Sequence, residues 1–438
     1  MKGLTVMIVG FGAREHVIST AYERNSGVEK IIVVPGNDFI SYKREKLVVS
    51  DGDCNLKSPG SIRLLAEKYK PDLIDVAQDD ALASGTVDSL LKHGFNVFGP
   101  TRKAARIIEA EKRLSKEFMQ RHGIPTSDFQ VFRGINGVKS KIYLERLFLK
   151  NPDKIVYVKA SGLCGGKGAL KAKGKDETKK RIMQMNDFGK AGEYFIIEDA
   201  LEGAEFSYFV ISDGENYKTL GSAKDYKRSF ENDFGEQTGG MGAISPAKIT
   251  EGIEEEIENE LVSKAIDGMR KEKIFYKGIL YVGGILVDGK PFCIEYNARW
   301  GDPETQVILP GLQNDYIDVV QATIDGRLNE IDLVHDGLER VCVVGVAKGY
   351  PDTKSAEYKN SQGKRIFGLE DVMKIPEIEI YGAGIKIEDE KFYINGGRLF
   401  SVVGKGKNLK EAREKSYDAI SRISIEGNNL HYRKDIGI

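Results

Sequence analysis

Cys293-Ile294-Glu295-Tyr296-Asn297-Ala298-Arg299-Trp300-Gly301-Asp302-Pro303-Glu304 begins as a strand and ends as a polar loop. Side chains alternate along a strand, so Glu295 and Asn297 point to one face. Two oxygen donors on one face suit a magnesium ion. Arg299 follows on the same side and can stabilise charge on a transferring phosphoryl group. A cross-strand polar cluster is the alternative, and the density of polar groups at one strand end favours the metal site.

Upstream, a strand over 279–287 pairs naturally with this one, after a long helix over 251–273. The Glu254-Glu255-Glu256 run of that helix reads as a solvated face rather than a metal site. Tyr194 to Ile197 and Glu205 to Ile211 read as strands, and 314–325 as a helix. Further back, Ile155 to Lys159 and Ala169 to Ala172 form two strands joined by Gly162-Leu163-Cys164-Gly165-Gly166-Lys167-Gly168. The loop is not a P-loop: one residue is missing between its glycines, and Gly168 stands where a hydroxyl should hold magnesium. A glycine-rich hairpin can instead lie over a triphosphate as a flap, offering the amides of Gly165, Gly166, Lys167 and Gly168. The other possibility is a mobile surface hairpin. Lys159 supplies positive charge at the end of the first strand.

The first hundred residues alternate apolar strands (4–9, 31–34, 72–77, 95–98) with helical stretches (14–25, 60–70, 82–93). Continuous apolar runs suit strands buried on both faces, so the expectation is a Rossmann-like parallel sheet. Gly10-Phe11-Gly12-Ala13-Arg14-Glu15 fails as a dinucleotide fingerprint, because Glu15 replaces the third glycine and Pro35-Gly36-Asn37 replaces the ribose acid. A glycine turn opening a helix with Arg14 still suits an anionic phosphate. Thr101 caps a helix expected to run unbroken to His122, with Ile107, Ala110, Leu114 and Phe118 as its apolar stripe. On that helix Lys112 lies roughly 140° from Ile107 and reads as solvated. Beyond about 335, short strands and one helix over 408–423 predict a small α+β domain.

The 438 residues are enough for two to four domains. A hydrophobic share of 41% with 30% charged residues excludes a disordered chain. Sixty-five basic residues balance 66 acidic ones, which argues against nucleic acid or an acidic membrane as partner. The four cysteines lack a C-x-x-C pair, so neither a disulfide framework nor a zinc site is expected. With neither a signal peptide nor an apolar span in the sequence, the expected location is cytoplasmic.

Together these motifs resemble the ATP-grasp superfamily and, within it, the glycinamide ribonucleotide synthetase (phosphoribosylamine–glycine ligase) family. Arg14-Glu15-His16, Pro35-Gly36-Asn37 and Gly99-Pro100-Thr101 match its N-terminal part, and Val158-Lys159-Ala160 with the glycine loop matches its flap. Thr238-Gly239-Gly240-Met241-Gly242-Ala243 and Gly301-Asp302-Pro303-Glu304-Thr305-Gln306 match its most specific motifs. Asn395-Gly396-Gly397-Arg398 and Arg433-Lys434-Asp435-Ile436-Gly437 match its C-terminal end.

The resemblance implies an α/β and α+β multidomain fold: an N-terminal sheet over 1–102, an ATP-grasp body over 103–334 with a lid near 125–195, and a C-terminal domain over 335–438. It implies that Lys112 and Lys159 contact ATP phosphates, against the solvated reading of Lys112. Glu198, Asp199 and Leu201 would form the hinge against adenine, Glu205 would take the ribose hydroxyls, and Glu295 and Asn297 would hold Mg2+ or Mn2+. Catalysis would fall to Arg299, Lys227 and Asp225. Gly12, Arg14, Glu15, Asn37, Arg228, Gly239, Gly240, Met241, Gly242 and Asp302 would border the substrates, glycine and 5-phosphoribosylamine. The expected state is a monomer or weak homo-oligomer. Gln78-Asp79-Asp80-Ala81-Leu82 departs from the family's Pro-Glu-Ala-Pro-Leu, and Asp225-Tyr226-Lys227-Arg228 from its Asp-His-Lys-Arg. A ligase for a different amine, or a non-catalytic nucleotide-binding relative, are the alternative functions.

Overall fold

The computed structural model describes residues 3–44, 46–52 and 54–438. Five parallel strands open the chain: β1 (Leu4–Gly10), β2 (Val28–Pro35), β3 (Leu47–Ser50), β4 (Leu73–Val76) and β5 (Val97–Phe98). Their order is β3-β2-β1-β4-β5. Val6 and Ile8 face one core and Met7 and Val9 the other, which is why the run is apolar throughout. The edge strand β3 was not expected from the sequence.

The helix expected from Thr101 to His122 is broken. A turn of α-helix, Arg102–Ala105, passes into a π-helical turn, Arg106–Ala110. Glu111 is then extended (φ −124°, ψ 94°), and a new helix, Lys112–Arg121, begins. The Lys112 amide donates to the Ser161 carbonyl at 2.7 Å, so a tertiary bond fills the break. A periodicity counted across Glu111 therefore misplaces Lys112.

Next come β6 (Phe129–Arg133), β7 (Ile155–Ala160), β8 (Ala169–Lys173) and β9 (Tyr194–Asp199), in an antiparallel sheet ordered β6-β9-β7-β8. Helices Val138–Lys150 and Gly174–Gln184 belong to the same unit, whose separate core includes Phe132, Phe148, Val158 and Phe195. The expected hairpin is β7–β8; β6 and the 138–150 helix were not foreseen.

The body adds β10 (Ala204–Ser212), β11 (Tyr217–Asp225), β12 (Arg228–Phe230), β13 (Phe234–Gln237), β14 (Gly242–Ser245), β15 (Gly278–Val287) and β16 (Lys290–Asn297). The C-terminal part adds β17 (Glu339–Ala347), β18 (Arg365–Phe367), β19 (Ile378–Gly382), β20 (Ile385–Glu388), β21 (Lys391–Ile394), β22 (Arg398–Gly406), β23 (Ser424–Ile425) and β24 (Leu430–His431). A nine-stranded sheet runs β16-β15-β10-β11-β14-β17-β22-β19, with β24 paired to β17. The C-terminal strands thus extend the body's own sheet, while β20-β21-β18-β23 form a small sheet beside it. Among the described residues no helix is long and apolar enough to cross a membrane.

Candidate active site

One face of the large sheet gathers several of the expected site residues. Glu295 and Asn297 are in regular register opposite Gly283 and Tyr281. Those two strand positions stand opposite Ser207 and Phe209 of β10. Cross-strand partners share a face, so Glu205, Ser207, Tyr281, Glu295 and Asn297 project together. A bulge between Glu295 and Cys293 inserts one extra residue where the acid emerges. Tyr296 turns to the other face and donates to the Leu261 carbonyl at 2.5 Å.

Positive charge converges on the two acids of the cleft. Lys112 Nζ donates to Glu295 Oε2 at 2.5 Å, which replaces the solvated reading. Lys112 is the strongest influence holding the Glu295 carboxyl well below the ordinary range; burial opposes it, and Lys159 and Lys227 add to it. The second acid, Glu198, is 4% exposed and bridges two buried lysines. One oxygen pairs with Lys159, the other with Lys116 at 2.9 Å. Burial works against its charge, yet Lys159 and Lys116 outweigh that and bring the carboxyl down to about 2. Lys116 also donates to Thr126 Oγ1 (2.6 Å) and Ser127 Oγ (3.2 Å). Burial nevertheless lowers the Lys116 ammonium, whereas Lys159, faced by both Glu198 and Glu295, is held up. Sequence reasoning missed Lys116; its spacing of one helical turn from Lys112 was the available signal, hidden by the wrong helix register.

Asp199 alternates away from this cleft. Its carboxylate binds Lys154 at 2.6 Å, and its amide bonds the Asp128 carbonyl. Of the expected hinge, then, only the Glu198 side chain reaches the lysines, and Leu201 is half-buried just beyond β9. Glu205 is exposed, with its carboxylate 3.5 Å from Lys227 Nζ.

Arg299 is seated by a residue the sequence did not single out. Glu109, in the π-helical turn, holds the guanidinium at 2.7 Å and accepts from the Ala298 amide at 2.9 Å. π-turns cluster at functional sites because they re-aim a side chain that a regular helix would turn away. Arg299 also reaches the Trp300 carbonyl (3.0 Å) and Asn297 Oδ1 (3.3 Å).

On the opposite rim, loops from both ends of the chain meet. Arg398 donates to the Gly239 carbonyl, to the Asp302 carbonyl and to Asp302 Oδ2, at 2.7, 2.7 and 2.9 Å. Gly12 lies against Asp302: a Cβ there would stand 3.4 Å from Asp302 Oδ2. Gly240, at φ +114°, leaves room for Pro303 and for Asp225, whose buried Oδ1 has no hydrogen-bond partner among the described residues. Burial, with Glu304 adding to it, pushes the Asp225 carboxyl well above its usual range.

Several expected contact residues are spent on the protein itself. Arg14 donates to Glu15, Gln78 and the Trp300 carbonyl, and Glu15 Oε2 accepts the Gly12 amide. Asn37 bridges the carbonyls of Phe11 and Gly382. Arg228 bonds the Gly235 carbonyl within its hairpin. The Met241 side chain is 0% exposed and packs in the core. Gly242 is likewise a packing glycine, since a Cβ there would strike the Cys342 carbonyl at 2.5 Å.

The flap lies near this rim. Gly165 and Gly166 adopt φ of +56° and +78°. Lys167 Nζ donates to the Pro351 carbonyl at 3.2 Å rather than into the cleft.

With this geometry, comparison with known proteins is decisive. Residues 4–108, 110–305 and 340–438 match the N, ATP-grasp (A) and C domains of phosphoribosylglycinamide synthetase. The chain belongs to the phosphoribosylglycinamide synthetase family. A curated phosphoribosylamine–glycine ligase from Caldanaerobacter subterraneus subsp. tengcongensis is 38% identical, with 99% of each chain covered. One from Fusobacterium nucleatum is 36% identical, covering 99% of this chain and 98% of the relative. The crystal structure of a phosphoribosylamine–glycine ligase from Thermotoga maritima superposes with a TM-score of 0.79 at 31% identity, covering 99% of this chain and all of that one.

Proposed function

We propose that this protein joins glycine to 5-phosphoribosylamine at the expense of ATP, as a phosphoribosylamine–glycine ligase of purine biosynthesis. The observation that carries the reading is the single sheet face bearing Glu295 and Asn297, ringed by Lys112, Lys159, Lys227 and Arg299. The 125–195 unit acts as lid. ATP would lie between it and the large sheet, against Lys112, Lys116 and Lys159.

The glycine carboxylate attacks the γ-phosphorus, and the bond to the ADP oxygen breaks. The amine nitrogen then attacks the carbonyl carbon of glycyl phosphate, and phosphate leaves. Fixed cations that need no reorganisation supply most of the stabilisation. Arg299, locked by Glu109, faces the transferring phosphoryl group. Asp225, in its ionised form, would take the proton lost by the amine.

Glu295 and Asn297 fit a divalent metal: both offer hard oxygen atoms at alternate positions on one face of a strand. Among the described residues no cluster of three or more His, Cys, Asp or Glu could hold an ion by itself. That suits Mg2+ or Mn2+, which take remaining ligands from nucleotide phosphates and water. When bound, such an ion neutralises phosphate charge. Gln78-Asp79 does not displace the acceptor reading, because Gln78 is tied to Arg14 and caps the short helix Asp79–Ser84.

Incubation with ATP, magnesium, glycine and phosphoribosylamine tests this. ADP release should require both substrates together. Release that is indifferent to phosphoribosylamine would overturn the named activity and favour a different amine.

A further inference from the structure

Asp75 is an acid that the reaction above leaves unused. It lies on β4, 2% exposed, with Ile8 and Phe98 beside it in register. A carboxyl in such a place is costly unless it is hydrogen-bonded. Its Oδ2 accepts from the Tyr22 hydroxyl at 2.9 Å. The Tyr22 ring packs on Tyr316 with centroids 4.9 Å apart, and the Tyr316 hydroxyl accepts from Trp300 Nε1 at 3.1 Å. The three aromatic side chains are no more than 2% exposed. The Trp300 carbonyl then collects Arg14 at 3.1 Å and Arg299 at 3.0 Å. A buried chain of hydrogen bonds, joined by one ring contact between Tyr22 and Tyr316, therefore runs from the N-terminal sheet to the arginine of the reacting centre.

We propose that Asp75 is a positioning residue: through Tyr22 and Tyr316 its charge state sets the seat of Trp300, and with it Arg299. The consequence for turnover rests on the ligase reading, whereas the effect on Trp300 does not.

The groups facing Asp75 are Tyr22, Arg14 and Glu15 from helix Ala13–Glu23 and Tyr316 from helix Tyr316–Asp325. On the flanking strands its register partners are the apolar Ile8 and Phe98. Burial is the largest influence and raises the carboxyl; the Tyr22 bond and Arg14 lower it, Glu15 raises it, and the balance lies at about 7. Both phenols are pushed well above their ordinary range, first by burial, and stay protonated donors throughout. Asp75 thus changes charge near neutrality. A charged acceptor holds the Tyr22 hydroxyl more strongly than a neutral one, so the ordered seat belongs to the ionised form.

Trp300 is the only tryptophan in the chain, so fluorescence excited at the red edge, beyond the absorption of the 19 tyrosines, reports this place alone. The expected result is a change in emission with a midpoint near pH 7. Asp75→Asn should abolish it. Tyr22→Phe, which keeps the ring and removes only the hydroxyl, should abolish it too and covers the case in which Asp75→Asn does not fold. At pH 8, kcat of either variant should fall by about tenfold, with KM for ATP little changed, because the loss is one of orientation. A transition that survives in Tyr22→Phe or Asp75→Asn, or is missing from the native protein, overturns the proposal. If the fluorescence behaves as expected but no ligation is found, the ligase reading fails and this one stands.

Discussion

Replacing Glu198 by glutamine keeps the shape of the side chain and removes the charge between two buried lysines. Its carboxyl lies at about 2 rather than 4.5, so the folded state prefers the ionised form by roughly 3 kcal/mol. Breaking a buried pair costs about 3–5 kcal/mol, because the charges left behind have no water. Both routes give a loss of about 3 kcal/mol or more at pH 7. The sign is fixed by the direction of the shift. A lowered carboxylate stabilises above its unfolded value and loses that contribution as pH falls toward its folded value. The native protein should therefore lose stability between about pH 5 and 2, and the gap to Glu198→Gln should narrow over the same window. Urea unfolding followed by far-ultraviolet circular dichroism at pH 7 and pH 3 measures both numbers. A double-mutant cycle with Lys116→Met isolates the pair, since neighbours in one network do not add. A cost below about 1 kcal/mol at pH 7, an equal cost at both pH values, or additive losses would refute the reasoning.

Glu295→Ala should abolish turnover while sparing the fold, since the side chain contacts Lys112 at the cleft and not the core; unchanged ADP formation would sink the metal assignment. Glu109→Gln should lower kcat by about tenfold to a hundredfold by freeing Arg299, with KM for ATP little affected; a change in KM alone would remove its orienting role. Valine at Gly165 and Gly166, whose φ values of +56° and +78° suit glycine, should strain the flap. Turnover should drop and ATP hydrolysis without ligation should rise. Hydrogen exchange across 162–168 should slow with ATP and magnesium, and equal rates would show that the segment is not a lid.

Local pattern was enough for the parallel sheet, the β7–β8 hairpin and the facing pair Glu295 and Asn297, because each is set by alternation over a few residues. A resemblance of motifs was enough for the family. The breaks were out of reach. The helix through Lys112 has a continuous apolar stripe, yet it opens at Glu111 because the Lys112 amide finds Ser161, 49 residues downstream. That one tertiary bond turns a lysine that looked solvated into the partner of Glu295. β11 to β14 were not foreseen; three of them are strands of three or four residues with little period to detect, but β11 is nine residues long. The hydrogen bonds of Arg14 to the Trp300 carbonyl and of Asn37 to the Gly382 carbonyl join segments far apart in sequence, which no local pattern shows. Glu109, Lys116 and Asp75 acquire meaning only from what packs against them. Their partners, Arg299, Glu198 and the Tyr22–Tyr316–Trp300 stack, come from other layers of the fold. Sequence period determines which way a side chain points from its own backbone; which charge waits there, and how little water stands between, is decided when the layers close.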